Sequence, residues 1–205
     1  NNDFSRQDTL RGSITKERAW WDLRHYELSV EIFTETKSIK GKNIISFNVL
    51  KGAKKMQIDL QHPLSITKIT HRNKKLTFER EGSVYWVYFS EKLTINSEEK
   101  IIIYYEGKPV ESKNPPWSGG ISWKKDEKGN DFIASSNQGI GASIWWPNKD
   151  HSYDEPEKGI DMYITIPDHL TDVSNGRLIN ITHNKRGKTK TFHWKVTNPI
   201  NNYGV

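Results

Sequence analysis

His25-Tyr26-Glu27-Leu28-Ser29-Val30-Glu31-Ile32 alternates without a break: Tyr26, Leu28, Val30 and Ile32 fall on one face, His25, Glu27, Ser29 and Glu31 on the other. A period of two belongs to an extended strand with one face in a core and one in water. The same pattern returns at Ile45, Phe47 and Val49, at Met56, Ile58 and Leu60, at Met162, Ile164 and Ile166, and at Phe192, Trp194 and Val196. Val84–Phe89 and Ile101–Tyr105 are apolar on both faces, which places them centrally in a sheet. Turn signals such as Lys40–Gly41, Arg72–Asn73, Glu81–Gly82 and Arg186–Gly187 separate the runs. The fold expected is all-β, a curved antiparallel β-sandwich of two or more sheets. Only Ser13–Trp21 reads as helical, with Ser13 or Thr15 as N-cap and Glu17 near N3. Residues 1–23 therefore read as an N-terminal tail and short helix, and residues 24–205 as one β domain.

Aliphatics are sparse, but 8 Trp, 8 Tyr and 7 Phe supply a core, since each aromatic buries roughly 150–250 Å². The net charge of +6 invites a nucleic-acid partner. The clusters Lys54–Lys55, Arg72–Lys75 and Lys185–Lys190 instead fall where hairpin turns belong, and no nucleic-acid partner is expected. Absence of cysteine removes disulfides, thiol nucleophiles and Cys-based metal sites. No apolar run approaches the ~18 residues of a membrane span. Asn1–Arg11 is polar, has no apolar leader segment and resembles a mature N-terminus or a tail; the protein is either cytoplasmic or begins after a processed leader, with a periplasmic or secreted location favoured over a cytoplasmic one.

Catalytic patterns are scarce. Ser118 and Ser143 lack a G-x-S-x-G elbow, and the seven histidines are scattered with no H-E-x-x-H pair. Asp150, His151, Asp154 and Glu155 form the one local donor cluster, read as a loop whose carboxylates cap backbone N–H groups and pair with lysines rather than as a metal site. From Pro109 to Pro156 the strand rhythm stops, and Trp117, Trp123, Trp145 and Trp146 gather there. A loop region this long is a candidate site. Its tryptophans either stack on sugar rings or anchor the loops onto the sheet. Within it Ser135–Ala142 reads as a strand ending in a polar turn, where Gly139 and Gly141 admit close backbone approach and Gln138 offers a donor and an acceptor.

Taken together, several stretches resemble the N-terminal β domain of the aminopeptidase N-like zinc metallopeptidases, the gluzincins. His25-Tyr26-Glu27-Leu28-Ser29-Val30 is similar to the family's opening HYdLxL strand, and Ile39-Lys40-Gly41 and Ile58-Asp59-Leu60 follow in order. Ile101-Ile102-Ile103-Tyr104-Tyr105-Glu106-Gly107 resembles L-x-I-x-Y-x-G. Asn137-Gln138-Gly139-Ile140-Gly141-Ala142 with Trp146-Pro147-Asn148-Lys149-Asp150 resembles Q-x-x-x-A…(F/W)-P-C-x-D, with Asn148 in place of the frequent cysteine. Phe192 through Asn198-Pro199-Ile200 and Tyr203 resembles the family's closing segment.

The resemblance implies a non-catalytic domain that packs on a catalytic domain of the same polypeptide. It implies peptide substrates shortened from the N-terminus, and Zn²⁺ in the full-length enzyme. The family's G-x-M-E-N and H-E-x-x-H do not occur here, so no catalytic residue, metal ligand or cofactor is assigned to this chain, and alone it is expected to be inactive. Gln138, followed by Gly139 and Gly141, matches the position that helps hold the substrate's free amine. An apolar patch is expected near Ile140, Ile144, Trp145, Pro199 and Ile200, where the catalytic domain would sit. The alternative is a stand-alone binding module for carbohydrate or protein, built on the tryptophan-rich loops.

Overall fold

The alternating stretch forms the middle of β1 (Trp21–Phe33), the strand around which the largest sheet is built. The computed structural model describes residues 4–201 and 204–205. β1 pairs antiparallel with β2 (Ser38–Val49) on one side and parallel with β11 (Ile160–Pro167) on the other. This parallel pair departs from the antiparallel expectation. A hairpin cannot join parallel neighbours, and here the long stretch between β2 and β11 makes the crossover.

The eight-stranded sheet runs β12-β13-β11-β1-β2-β8-β4-β5, with β4 at Ser65–His71, β5 at Lys74–Lys75, β8 at Glu98–Gly107, β12 at Arg177–Asn184 and β13 at Thr189–Val196. A second sheet has the order β3-β7-β6 (Lys55–Asp59, Val84–Tyr88, Thr77–Glu81), and β9 (Gly120–Lys125) pairs with β10 (Asp131–Ser136). The two doubly apolar stretches are internal, as their composition requires: β7 lies between β3 and β6, and β8 between β2 and β4.

One core fills the space between the sheets. Tyr26, Leu28 and Val30 of β1 and Ile45, Phe47 and Val49 of β2, neighbours in the same sheet, are all buried in this core. Trp20 and Trp21 meet the Phe47 ring edge-on at centroid distances of 5.8 and 5.6 Å. From the loop side Trp146 closes on Tyr26 at 4.9 Å.

Two elements differ from the pattern-based expectation. The N-terminal helical content lies in two pieces, α1 (Arg6–Gly12) and α2 (Lys16–Ala19). α1 falls inside the stretch that reads as a polar lead-in. It is started by Ser5, whose hydroxyl accepts from the Asp8 backbone N–H while the Asp8 carboxylate accepts from the Ser5 N–H. Thr15 is the N-cap residue of α2, without a side-chain cap bond. The second difference is β12, an edge strand exposed along its whole length, Leu178, Ile179 and Ile181 included. With no buried face it carries no alternation to detect. Among the described residues no helix is long and apolar enough to cross a membrane.

On the sheet's outer face, three adjacent strands place one carboxylate between two imidazoles. Asp161 of β11 meets His25 Nε2 of β1 at 2.9 Å and His193 Nε2 of β13 at 2.7 Å. Burial pushes the Asp161 carboxyl up, but the bonds from His193 and His25 outweigh it and hold it below the usual range. A carboxyl depressed in the folded state adds stability above its unfolded pKa and loses it as pH falls through the folded one. Asp161→Asn should cost about 1 kcal/mol at pH 6, a deficit that closes below about pH 4. Urea unfolding of both proteins across that range reads it directly; a pH-independent deficit contradicts the assignment.

Candidate functional site

β10 ends at Ser136, whose hydroxyl donates to the Pro116 carbonyl (2.8 Å), and the chain reverses over Asn137–Gly141. The Asn137 carbonyl accepts from the Ile140 and Gly141 N–H groups at 3.3 and 2.9 Å. Gly139 and Gly141 have φ of +75° and +79°, where side chains are rarely tolerated. Only Gly141 is also hemmed in: a Cβ there would lie 2.5 Å from Asp150 Oδ2, whereas nothing lies within 4 Å of one on Gly139. Gln138 stands exposed at the tip. From Gly141 to Asp150 every residue is buried. The arrangement is therefore one exposed amide side chain on a turn whose far end is locked into the core.

Outside groups grip the turn. Arg11 Nη2 donates to the Gly139 carbonyl (2.9 Å), and Gln61 Nε2 donates to the Ile140 carbonyl and to Ser143 Oγ (2.8 Å). Asn137 Nδ2 and Trp145 Nε1 both donate to the Val205 carbonyl, which brings the C-terminal residue beside the turn. Ser143 Oγ in turn donates to Asp150 Oδ2.

Beneath lies a buried polar hub centred on Arg18, which is 1% exposed. Its Nη1 donates to the carbonyls of Leu10, Arg11 and Ser13 (2.9, 3.1 and 2.9 Å), its Nη2 to Asp59 Oδ2 (2.7 Å) and the Asp150 carbonyl (3.3 Å). Asp59 Oδ2 also accepts the Asp150 N–H (3.0 Å), and Asp59 Oδ1 accepts Gln57 Nε2 (2.9 Å). Burial pushes the Asp59 carboxyl above its ordinary range despite the guanidinium beside it. The hub joins α1, β3 and the loop that supports the turn.

With this geometry in hand, comparison with known proteins is decisive. The sequence pattern of the peptidase M1 N-terminal domain matches residues 23–203. The chain belongs to that family. No curated protein matches the chain. Among solved structures it is similar to the M1 zinc metallopeptidase of Deinococcus radiodurans, with a TM-score of 0.74 at 16% identity, covering 91% of this chain and 41% of that one. A mutant of that enzyme bound to a Tyr-Ser-Ala substrate gives a TM-score of 0.73 at 16% identity, with the same coverage. Yeast LTA4 hydrolase in complex with bestatin gives 0.65 at 16% identity, covering 90% of this chain and 28% of that one. This M1 N-terminal domain thus spans less than half the length of the structures it matches. The family's closing tyrosine position, Tyr203, lies outside the described residues.

Among the described residues of this M1 domain no group of three or more His, Asp or Glu side chains could hold a metal ion. In the donor-rich loop the Asp154 carboxylate pairs with the Lys149 ammonium and accepts the Leu23 N–H (3.2 Å). The same ammonium donates to the Trp21 carbonyl (2.7 Å) and lies 4.1 Å over the Trp21 ring.

The loop tryptophans divide. Trp145 and Trp146 are buried in the core, Trp123 is half-buried, and Trp117 is 75% exposed. The expected apolar patch is smaller than the sequence suggests: Ile144 and Trp145 point inward, Ile140 and Ile200 are half-buried, and Pro199 is exposed. Arg11, Arg18 and Gln61 carry no pattern that marks them; each acts through backbone carbonyls or one distant partner, which leave no spacing signature.

Proposed function

We propose that this domain is the non-catalytic N-terminal part of an enzyme that removes N-terminal residues from peptides, and that the Gln138 turn closes one side of the pocket for the substrate's free amine. The observation that supports it is an exposed Gln138 on a turn gripped by Arg11 and Gln61 and continued by an entirely buried segment. Such a mounting suits recognition, because a rigid support lets a single amide act without an ordering cost at binding. A neutral amide oxygen accepts from an ammonium without the desolvation cost of a further buried carboxylate. Gly139, with open space around it, leaves room for a ligand backbone to approach. Gly141 sets the path of the turn. Packing on a catalytic domain of the same polypeptide would bring the second side of the pocket and, in this reading, the residues that hold Zn²⁺.

In the polypeptide that carries both parts, Gln138→Ala should raise KM for aminoacyl substrates about tenfold while kcat changes little, the loss expected for one hydrogen bond to a charged group. Gln138→Glu should bind the amine at least as well. KM values unchanged across several aminoacyl substrates overturn the assignment. Of the four loop tryptophans on which a binding module would rest, Trp145 and Trp146 are in the core, while Trp117 and Trp123 keep exposed surface.

A further inference from the structure

The segment before residue 23 lies outside the family match, yet it reaches the candidate site. α1 is fixed at one end to the β6–β7 hairpin. Arg6 forms a two-point ion pair with Glu81, Gln7 Nε2 donates to the Glu81 carbonyl (3.3 Å), and Gln7 Oε1 accepts the Ser83 N–H (3.2 Å). Leu10 is buried against Val84 and Trp86. At the other end the last carbonyls of α1 are held by the buried Arg18 guanidinium. At this second anchor the Arg11 side chain reaches out from the helix and donates to the Gly139 carbonyl at 2.9 Å.

Gly139 is the residue next to Gln138, and a Cβ placed on it would find nothing within 4 Å. No neighbour thus lies where a Gly139 side chain would, and glycine's backbone gives its peptide little torsional resistance. Hydrogen bonds hold that peptide in place, and the one on its carbonyl comes from α1.

We infer that α1 is a strap that positions the Gln138 turn, with Arg11 as its positioning residue; the functional half of this inference rests on the reading of Gln138 given above. The strap sets the direction in which the Gln138 amide is presented, and through it the apparent affinity for a substrate's amino end. Arg11 itself touches no substrate.

Two measurements test this. In the 205-residue chain, amide hydrogen exchange followed by NMR should speed up at Ile140 and Gly141 about three- to tenfold in Arg11→Ala, as expected for loss of one charge-assisted bond at an exposed position. Amides of β2 should keep their rates. Arg11→Lys should restore part of the protection, since the ammonium still donates. Unchanged exchange at Ile140 and Gly141 overturns the strap. In the longer polypeptide Arg11→Ala should raise KM about three- to tenfold with kcat within about twofold. If Gln138→Ala raises KM and Arg11→Ala does not, the positioning role is overturned and the reading of Gln138 stands. If exchange accelerates while neither variant moves KM, the strap is upheld and the role of Gln138 falls.

Discussion

Arg18→Ala is expected to lower the unfolding free energy by about 3–5 kcal/mol, the range for removing one partner of a buried ion pair. The guanidinium is 1% exposed and satisfies the carbonyls of Leu10, Arg11, Ser13 and Asp150 besides Asp59. Deleting it strands a buried carboxylate and frees several backbone acceptors at once. The pH dependence carries a distinct signature. Burial already holds the Asp59 carboxyl above its ordinary range, and loss of Arg18 removes the main opposing influence. A carboxyl whose folded pKa is raised contributes stability below its unfolded pKa and loses it as pH rises through the folded value. The deficit of Arg18→Ala should therefore be smaller at pH 5 than at pH 8, and Asp59→Asn added to it should recover part of the loss. Urea titrations followed by tryptophan fluorescence measure all three proteins. A deficit below 1 kcal/mol at pH 8 contradicts the account of the hub.

Gly141→Ala is the second large effect, expected at about 3 kcal/mol, or roughly 6–12 °C in Tm for a chain of this size. Two costs combine. The backbone at Gly141 has φ 79° and ψ 167°, a region that essentially only glycine occupies. A methyl group would also lie 2.5 and 2.7 Å from the two Asp150 carboxylate oxygens. Asp150 would have to move, loosening its bond from Ser143 and its N–H bond to Asp59. Gly139→Ala is the matched control: similar positive φ, open space, and therefore only about 1 kcal/mol of strain. Thermal melts of the pair decide it, since equal destabilisation would mean that the close approach to Asp150 contributes nothing.

What the sequence discloses follows what periodicity reports. β1, β2, β11 and β13 are legible because apolar residues recur every second position, and β7 and β8 because their apolar residues follow one another without a break. β12 has no buried face and so no signal. α1 is hidden for a related reason: only Leu10 is buried in it, and its start is marked by Ser5-x-x-Asp8, an acid one carbon shorter than the common Glu at that place. The turn at Gln138 is visible through its glycines, since positive φ is a demand on residue type. The hub under it is not. Arg18 and Asp59 look like ordinary polar positions of a helix and a strand, and only the fold, which brings β3, α2 and the loop at Asp150 together, makes them a buried pair.

The parallel partnership of β1 has a consequence for the newborn chain. β2 follows β1 at once, so that hairpin assembles as soon as it leaves the ribosome. Tyr26 meets Ile160 only after roughly 130 further residues are made, on the order of ten seconds at about 5–20 residues per second. Throughout that interval the central strand of the finished sheet is an open border with unsatisfied amides and carbonyls. The nascent protein is then a natural client for chaperones, and slow codons between β2 and β11 would lengthen its exposure.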